Sequence, residues 1–533
     1  IEQSTAFEKI RSSLQEGKYE THLIHGITGS GKTEIYLQAI EEALQQSKGA
    51  IMLVPEISLT AQTIERFRSR FEGKIAILHH RLSPGERFDE WHKIRRNEAQ
   101  IVIGARSAIF SPVPNLGLII VDEEHESSYK QTEEAPCYHA RDIAVMRGMK
   151  QQCTVILGSA TPSLESYYNA SIGKYSLSSL NHRPDAASIP KFTIVEMRSE
   201  FAKAKCFTNF SSALLDGIKR RQEAGEQTIL FLNRRGYHTS LLCPDCGKSV
   251  RCKDCDLALT FHQNENLLAC HLCGYTLPPP KSCPHCQASH PMKYKGVGTE
   301  QVEKSLHAVL PGIRTLRIDA DTTRHKGSHQ KLLRQFGSGK ADVLIGTQMI
   351  AKGLHFPEVT LVGVLNSDSA LNIPDFRASE TVFQLITQVA GRAGRGSLPG
   401  EVIVQTCLPE NSTIQLAASQ NYLQFYAEEI ETRKLFGYPP FASLVKIAFS
   451  GPDEKQIREI AEKTRNQLMQ LLPPQFELHP AIPSGYAKVK GKYRYHILIR
   501  GPAVYPITAA FEKMTFSKAI KVMVDVNPIS TFF

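Results

Sequence analysis

Eight residues near the start of the chain, Gly26-Ile27-Thr28-Gly29-Ser30-Gly31-Lys32-Thr33, fit the pattern GxxxxGK[ST] at every fixed position. They follow an apolar run and open a helical stretch, the context that a phosphate-cradling loop requires. Glycines let backbone N–H groups close on phosphate oxygens, and the helix N-terminus adds its dipole. Gly26, Thr28, Gly29, Ser30 and Gly31 are therefore expected to line a nucleoside triphosphate. Lys32 would reach its β and γ phosphates, and the Thr33 hydroxyl would ligate Mg²⁺. Such a site also needs an acidic pair at the end of a buried strand. Leu118-Ile119-Ile120-Val121, continued by Asp122-Glu123-Glu124-His125, supplies one. Asp122 is expected to hold Mg²⁺ through water. Glu123 is expected to orient and deprotonate attacking water, so that catalysis is mostly positioning and charge stabilisation.

The chain has 12 cysteines, and eight of them form the pairs Cys243/Cys246, Cys252/Cys255, Cys270/Cys273 and Cys283/Cys286. Each CxxC turn presents two thiolates on one side of a metal, and two turns complete a tetrahedral Zn²⁺ site with Zn–S of about 2.3 Å. Eight thiolates imply two closed, structural Zn²⁺ ions, with iron–sulfur ligation as the alternative. Three pairings of the four knuckles are open. The 14-residue spacer after Cys255 suits a hairpin joining the second and third knuckles, around which the first and fourth would close. Cys137, Cys153, Cys206 and Cys407 read as plain core or surface thiols. This usage fits a reducing compartment better than a disulfide-rich secreted domain.

The elements that must position these residues read as alternating strands and helices. Thr21–His25, Ala50–Val54, Lys74–Leu78, Gln100–Ile103, Leu118–Val121 and Thr154–Leu157 are expected as buried strands, with helices such as Thr33–Gln46 and Leu59–Phe71 between them. Alternating βα units imply a parallel sheet with helices on both faces. A second α/β block has Thr228–Leu232, Gly312–Ile318, Val343–Ile345, Val359–Leu365 and Glu401–Thr406 as strands, and the Cys-rich segment interrupts it. Leu444–Phe449, Arg494–Arg500 and Ile520–Val526 read as strands, and Glu454–Leu471 as a helix, of a small α+β unit. The expected divisions are 1–195, 207–420 interrupted by 243–290, and 421–533.

Composition narrows the class. At 533 residues, 41% hydrophobic and 22% charged, the chain can fill several cores, which excludes disorder as its main state. No apolar run approaches the roughly 20 residues of a membrane span. The balance of 63 basic to 53 acidic residues, +10, leans toward an acidic partner such as nucleic acid. No secretory signal is visible. The chain opens on Ile1, with the phosphate pattern close behind, so a piece upstream is expected to be missing.

Two later motifs point further. Gly158-Ser159-Ala160-Thr161-Pro162 resembles motif III of superfamily-2 helicases, and Gln388-Val-Ala-Gly391-Arg392-Ala-Gly394-Arg395-Gly396 resembles their motif VI. The resemblance implies two RecA-like lobes with ATP between them. It makes Arg392 and Arg395 candidate arginine fingers, one of which would stabilise charge on the γ-phosphoryl group, an effect of about 10³–10⁵ in rate. Leu53-Val-Pro-Glu-Ile-Ser-Leu-Thr60, Gly104-Ala-Arg-Ser-Ala-Ile-Phe110, Leu232-Asn-Arg-Arg-Gly-Tyr237 and Gly346-Thr-Gln-Met-Ile-Ala-Lys-Gly353 match more narrowly. So does Asp122-Glu-Glu-His125 continued by Ser-Ser-Tyr-Lys-Gln131. From about residue 20 onward, the chain resembles the bacterial PriA family of replication-restart helicases (primosomal protein N′).

That resemblance implies an ATP-dependent 3′–5′ DNA helicase. It would act on stalled or abandoned forks and promote primosome assembly and reloading of the replicative helicase. Implied partners are forked, branched and single-stranded DNA, primosome and helicase-loading proteins, and single-stranded DNA-binding protein. The chain would act as a monomer in the bacterial cytoplasm, associated with the nucleoid and not with a membrane. The family's N-terminal region, which captures a DNA 3′ end and carries a winged helix, has no counterpart here, and its adenine-contacting segment is reduced to Glu2-Gln3, with Gln3 as the adenine reader. Arg106, Ser107, Thr347 and Lys352 fall in motifs where the family meets the strand. Tyr129 and Tyr138 lie in its DNA-sensing loop, where aromatic faces can stack on bases. The resemblance supports the nested zinc pairing: Cys243, Cys246, Cys283 and Cys286 on one ion, and Cys252, Cys255, Cys270 and Cys273 on the other. The alternatives are a RecG-like fork-remodelling translocase, or an assembly platform with auxiliary ATPase.

Overall fold

A computed structural model describes the chain apart from residues 56–60, 81, 133, 184–189, 206–207, 233–239, 243–249, 254–258, 263–265, 270–274, 281, 288–292, 296–297, 320–321, 324–326, 348, 351–355, 372–374, 395–397, 518 and 532–533. Helix α1 (Glu2–Glu16) leads into strand β1 (Thr21–Gly26), helix α2 (Lys32–Gln45) and strands β2 (Gly49–Leu53), β3 (Ile75–Leu78), β4 (Ile101–Gly104) and β5 (Leu116–Asp122). Helix α3 (Ala140–Gln151), β6 (Thr154–Ser159), helix α4 (Leu164–Ser171) and β7 (Ser176–Leu180) complete the first lobe. Its seven strands run parallel in the order β3-β4-β2-β5-β6-β1-β7.

The strands are nearly continuous apolar runs because both faces of the sheet are covered. Successive side chains alternate between the faces. Leu118 and Ile120 enter one core with Ile24, Met52 and Ile103, while Ile119 and Val121 enter the other with Leu23, Leu53 and Leu157. Burying each such side chain contributes about 1.5–3 kcal/mol.

The second lobe is a six-stranded parallel sheet of β8 (Lys191–Glu196), β9 (Gln227–Leu232), β10 (Thr315–Ile318), β11 (Val343–Gly346), β12 (Val359–Leu365) and β13 (Glu401–Thr406). Its order is β8-β13-β12-β9-β11-β10. Helix α5 (Ala378–Ala390) lies on one face of this sheet, where Phe383 and Val389 share a core with Val362 and Val404. The expected end of the first division at 195 is corrected, because Lys191–Glu196 pairs in register with Glu401–Thr406 and so belongs to the second sheet.

The Cys-rich insert is closed at its base by an antiparallel pair, Ser240–Leu242 with Lys293–Lys295. Inside it, Thr260–His262 pairs antiparallel with Leu267–Ala269, which is the expected hairpin between Cys255 and Cys270.

Helix α6 (Tyr422–Phe436) follows, and Tyr422 and Phe425 pack into the core of the second lobe. The expected start of the third division at 421 is therefore corrected, because the opening of α6 packs with the second lobe. Its five-stranded antiparallel sheet includes β14 (Ser443–Gly451), β15 (Ile482–Val489), β16 (Lys492–Gly501) and β17 (Lys521–Val526), with helix α7 (Glu454–Leu471) against it. Among the described residues, no helix is long and apolar enough to cross a membrane.

Candidate nucleotide site at the lobe interface

Strand β1 delivers the phosphate loop, and α2 starts immediately after it. Gly29 and Gly31 hold φ of 85° and 87°, left-handed values that side chains disfavour. Gly31 is doubly constrained: a Cβ there would lie 2.1 Å from the Gln3 amide nitrogen, which donates to the Ser30 carbonyl at 2.7 Å. Gln3 thus lies against the loop backbone. Its helix is tied to the segment after β7 through Glu2, which accepts from the backbone N–H groups of Asn181 (2.9 Å) and His182 (3.2 Å). The Lys32 ammonium donates to the carbonyl of Gly26 at 2.6 Å.

The acid cluster lies at the end of β5. Asp122 accepts from the Tyr36 hydroxyl of α2 at 3.0 Å. Burial, reinforced by the Glu123 carboxylate, pushes Asp122 up to about 6, and the Lys32 ammonium opposes this. Tyr36 reaches Asp122 only because Gly158 carries no side chain: a Cβ there would lie 1.7 Å from the hydroxyl. Glu123 has a left-handed φ of 48°, uncommon for a non-glycine residue and of the kind found where function imposes a conformation. Its Oε2 is buried without a hydrogen-bond partner among the described residues. Glu124 is fully buried and spent on structure: it accepts from Ser163 N (2.6 Å), Ser166 Oγ (2.8 Å) and Arg141 (3.1 Å).

The second lobe meets this cluster directly. Gln388 of α5 lies 2.7 Å from His125 Nε2, while His125 Nδ1 lies 2.6 Å from Ser159 Oγ. A neutral ring protonated on Nδ1 satisfies both. The Ser159 hydroxyl in turn accepts from Thr161 N at 2.9 Å. Gly391, at the end of α5, lies against the phosphate loop, where a Cβ would be 2.8 Å from Thr28 Oγ1. Half-buried Arg392 follows it, and Arg395 falls outside the described residues.

A cavity of about 270 Å³ opens here, lined from the first lobe by Ile27, Thr28 and Arg183 and from the second by Thr387, Gly391 and Tyr422. His25 forms part of the same wall between the rings of Tyr167 and Tyr422, and burial holds it down to about 4, hence neutral. The buried hydroxyls of Ser30, Thr161 and Thr387 have no hydrogen-bond partner among the described residues. Buried polar groups are normally satisfied, so a set of unspent ones around a glycine-lined loop suits a polar ligand such as a nucleoside triphosphate. A larger cavity of about 460 Å³ lies between both lobes and the C-terminal unit. Ion pairs wall it, and it is set apart from the phosphate loop.

Of the residues expected on DNA, Arg106 and Tyr138 come together, with the guanidinium 5.8 Å from the ring centre. Ser107 is exposed beside them, and half-exposed Phe110 meets Tyr138 edge-on at 5.1 Å. Thr347 is half-buried just beyond β11, and Lys352 lies outside the described residues. Tyr129 is a correction. Its side chain is 1% exposed in the core of the first lobe, and its hydroxyl donates to the Asp122 carbonyl at 2.7 Å, so it has no face to offer a base.

Four family models cover most of the chain: DEAD/DEAH box helicase at residues 2–170, PriA DNA helicase Cys-rich region at 252–278, helicase conserved C-terminal domain at 294–397, and primosomal protein N C-terminal domain at 434–529. The replication restart protein PriA of Chlamydia pneumoniae is 51% identical over 537 residues, covering 100% of this chain and 72% of that protein. The chain belongs to the PriA family of replication restart proteins. The Bacillus subtilis member is 46% identical and aligns over 99% of this chain and 66% of its own length. Among solved structures, RecG bound to a three-way DNA junction is 16% identical with a TM-score of 0.49, covering 81% of this chain and 46% of that one. As a PriA-family member the chain is an ATP-hydrolysing DNA helicase with two RecA-like lobes, a Cys-rich zinc-ribbon region and a PriA C-terminal domain.

In the PriA Cys-rich region, Cys252 and Cys283 are buried and Cys286 is exposed. The His285 N–H points at Cys283 Sγ, 3.4 Å away. Among the described residues the insert's core is small, with Leu241, Val250, Cys252, Leu259 and Leu268. Metal ligation suits a segment with so little to bury. Cys243, Cys246, Cys255, Cys270 and Cys273 lie outside the described residues, and the described ones contain no cluster of three or more metal-binding side chains.

Sequence reasoning missed Tyr36, Glu124 and the His125–Gln388 contact. Tyr36 stands one helical turn after Lys32, a spacing that points both side chains the same way. His125 and Gln388 belong to motifs that were read, but nothing local joins residues so far apart in the chain.

Proposed function

We propose that the chain is the motor of a fork-acting restart helicase that moves 3′ to 5′ on one DNA strand. It remodels stalled or abandoned replication forks and promotes primosome assembly and reloading of the replicative helicase. Its partners are forked, branched and single-stranded DNA, helicase-loading proteins and single-stranded DNA-binding protein, in the bacterial cytoplasm. The observation that carries the motor reading is the contact of Gly391 with Thr28, beside the bridge from Ser159 through His125 to Gln388.

Bound ATP supplies the transferable γ-phosphoryl group and, with Mg²⁺, the charge that the site must balance. Gly26 and Thr28 to Thr33 hold the phosphates, and Gln3 orients the adenine side of the loop. Thr33 and Asp122 hold the metal, and Lys32 leaves the Gly26 carbonyl to meet anionic oxygens. Glu123 Oε2, without a hydrogen-bond partner among the described residues, orients a water and takes its proton. Arg392 or Arg395 adds cationic charge when α5 closes on the loop. Arg106, Ser107, Tyr138, Thr347 and Lys352 hold the strand by its backbone and bases without reading sequence. Differential grip between open and closed lobes yields net travel. The four Cys pairs hold two Zn²⁺ ions in the nested arrangement.

Lys32→Ala tests this reading. Turnover of ATP with forked DNA falls by at least about 100-fold, while DNA affinity changes little. Near-parental turnover would reject the site.

A further inference from the structure

Immediately after the acid cluster, the chain makes a short ribbon, Lys130–Gln131 paired antiparallel with Tyr138–His139. Two adjacent residues at its start join three separate parts of the protein. The Tyr129 hydroxyl donates to the Asp122 carbonyl at 2.7 Å. The Lys130 carbonyl accepts from Arg106 at 2.7 Å. The Lys130 ammonium leaves its own lobe altogether. It lies 2.6 Å from Asp525 Oδ1 at the end of β17, and it donates to the Val526 carbonyl at 2.5 Å. The lysine side chain is 1% exposed and the aspartate 11%.

A lysine ammonium is strongly hydrated and is seldom buried without a partner. Among the described residues the compensation comes from the C-terminal domain, so the pair fixes where β17 meets the first lobe. The same stretch also reaches the second lobe: Ser530 Oγ and Thr531 N both donate to Asp375 at 2.8 Å. Residues 525–531 therefore strap the two lobes together. The first-lobe end of the strap is fastened one residue from the tyrosine that holds Asp122.

We propose that Lys130 is a positioning residue through which the C-terminal domain sets the DNA-stimulated rate of ATP hydrolysis. Anchored on Asp525, Lys130 holds its carbonyl for Arg106 and holds Tyr129 on the Asp122 carbonyl. Engagement of a strand at Arg106 is then felt at the acid cluster instead of being lost in a movable ribbon. This rests on the assignment of Asp122 to the nucleotide site and of Arg106 to the strand, and adds to it a regulatory role for a domain that carries no helicase motif.

The test uses Lys130→Met, Asp525→Asn and the double variant in the full chain. ATPase is measured with and without single-stranded DNA, and DNA affinity by fluorescence anisotropy. Stimulated kcat should fall about tenfold, with basal rate and KM for ATP retained and DNA affinity within about threefold of the parent. Lys130→Arg should recover most of the stimulation. The double variant should be no worse than the poorer single one, because both remove one link. Amide exchange across residues 122–131 should quicken in Lys130→Met. An unchanged ratio of stimulated to basal rate in either folded single variant overturns the proposal, and so does additivity in the double. If Lys130→Met does not fold, Asp525→Asn, which lies outside the helicase lobes, decides the matter alone. Lys32→Ala run alongside separates the two ideas: if it is inactive while Lys130→Met behaves like the parent, only the positioning role falls.

Discussion

Replacing Gly158 by alanine should damage the protein far more than the loss of one hydrogen atom suggests. Gly158 sits in β6 beside both Asp122 and Ile24, in the middle of the first sheet. An added Cβ would lie 1.7 Å from the Tyr36 hydroxyl and 2.8 Å from its Cζ. Tyr36 is fully buried. The clash is overpacking, about 1–3 kcal/mol, and expelling the hydroxyl also removes a hydrogen bond to a carboxylate, about 1.5–3 kcal/mol. Alanine's stiffer unfolded chain returns about 0.4–1 kcal/mol. The net is a loss of about 1.5–5.5 kcal/mol, a large share of a typical domain's stability. Urea unfolding of Gly158→Ala, Tyr36→Phe and the double variant measures it. Tyr36→Phe loses only the hydrogen bond, and it removes the nearer of the two atoms with which the alanine collides, leaving Cζ at 2.8 Å. The double variant should therefore be more stable than additivity predicts, by at least about 1 kcal/mol. ATP turnover should fall at least about tenfold in Gly158→Ala, because Asp122 loses its orienting partner. Additive effects, or an alanine variant as stable as the parent, would refute the idea that this glycine exists to admit Tyr36.

Arg433 of α6 is fully buried between Glu165 of the first lobe (3.2 Å) and Glu380 of the second (2.7 Å), so Arg433→Met should cost about 3–5 kcal/mol in chemical denaturation. Glu429, beside the same arginine, is pushed up to about 7 by burial, with the Arg433 charge pulling it down and Glu380 adding to the rise. Its folded value is above its unfolded value of about 4.3, so it contributes stability that is complete below about pH 4 and lost as pH rises through 7. Glu429→Gln should flatten the stability profile over that window and gain about 1–3 kcal/mol at pH 8. Metal analysis of the purified chain should return two zinc ions, and an iron chromophore or a single zinc would overturn the ligand assignment. Chelation should unfold the insert while leaving ATP binding by the lobes intact.

The phosphate loop and acid pair were legible because phosphate chemistry dictates both residue type and spacing. The central strands were legible because covering both faces forces unbroken apolar runs. The edges were not. Ser176–Leu180 has three serines in five residues, and Lys191–Glu196 has no fully buried position. Missing the second of these displaced the boundary between the lobes. Tyr129 misled for a related reason. An aromatic ring in a polar stretch reads as a surface platform, yet here the stretch folds back and the ring fills the core. Glu124 has no local signature to separate it from Asp122 and Glu123. Only the approach of Ser163 and Ser166, from the start of a later helix, shows it to be a strut. Arg433 is the extreme case, since a charge on a helix is ordinarily a solvated one.

The contacts that join the lobes add polar pairs to apolar packing, in which Leu164 enters the second lobe's core and Tyr167 meets Tyr422 and Tyr426. Inside each lobe the packing is aliphatic and dense. Across the crevice the described contacts include Gln388 to His125, Leu164 N to Glu380, Tyr422 to the Pro162 carbonyl, and Arg433 to both Glu165 and Glu380. An aliphatic interface of this extent would resist separation on every cycle and would expose a sticky surface whenever it opened. Paired polar groups behave otherwise. Their attraction is largely cancelled by the cost of taking them from water, so water can replace a partner at modest net expense, while their geometry still admits a single closed arrangement. The first-lobe partners, His125, Pro162, Leu164 and Glu165, all lie within a few residues of Glu124 or of Ser163, which Glu124 holds directly. Glu124 thus ties the first-lobe residues that meet the second lobe to the acid cluster of which it is part.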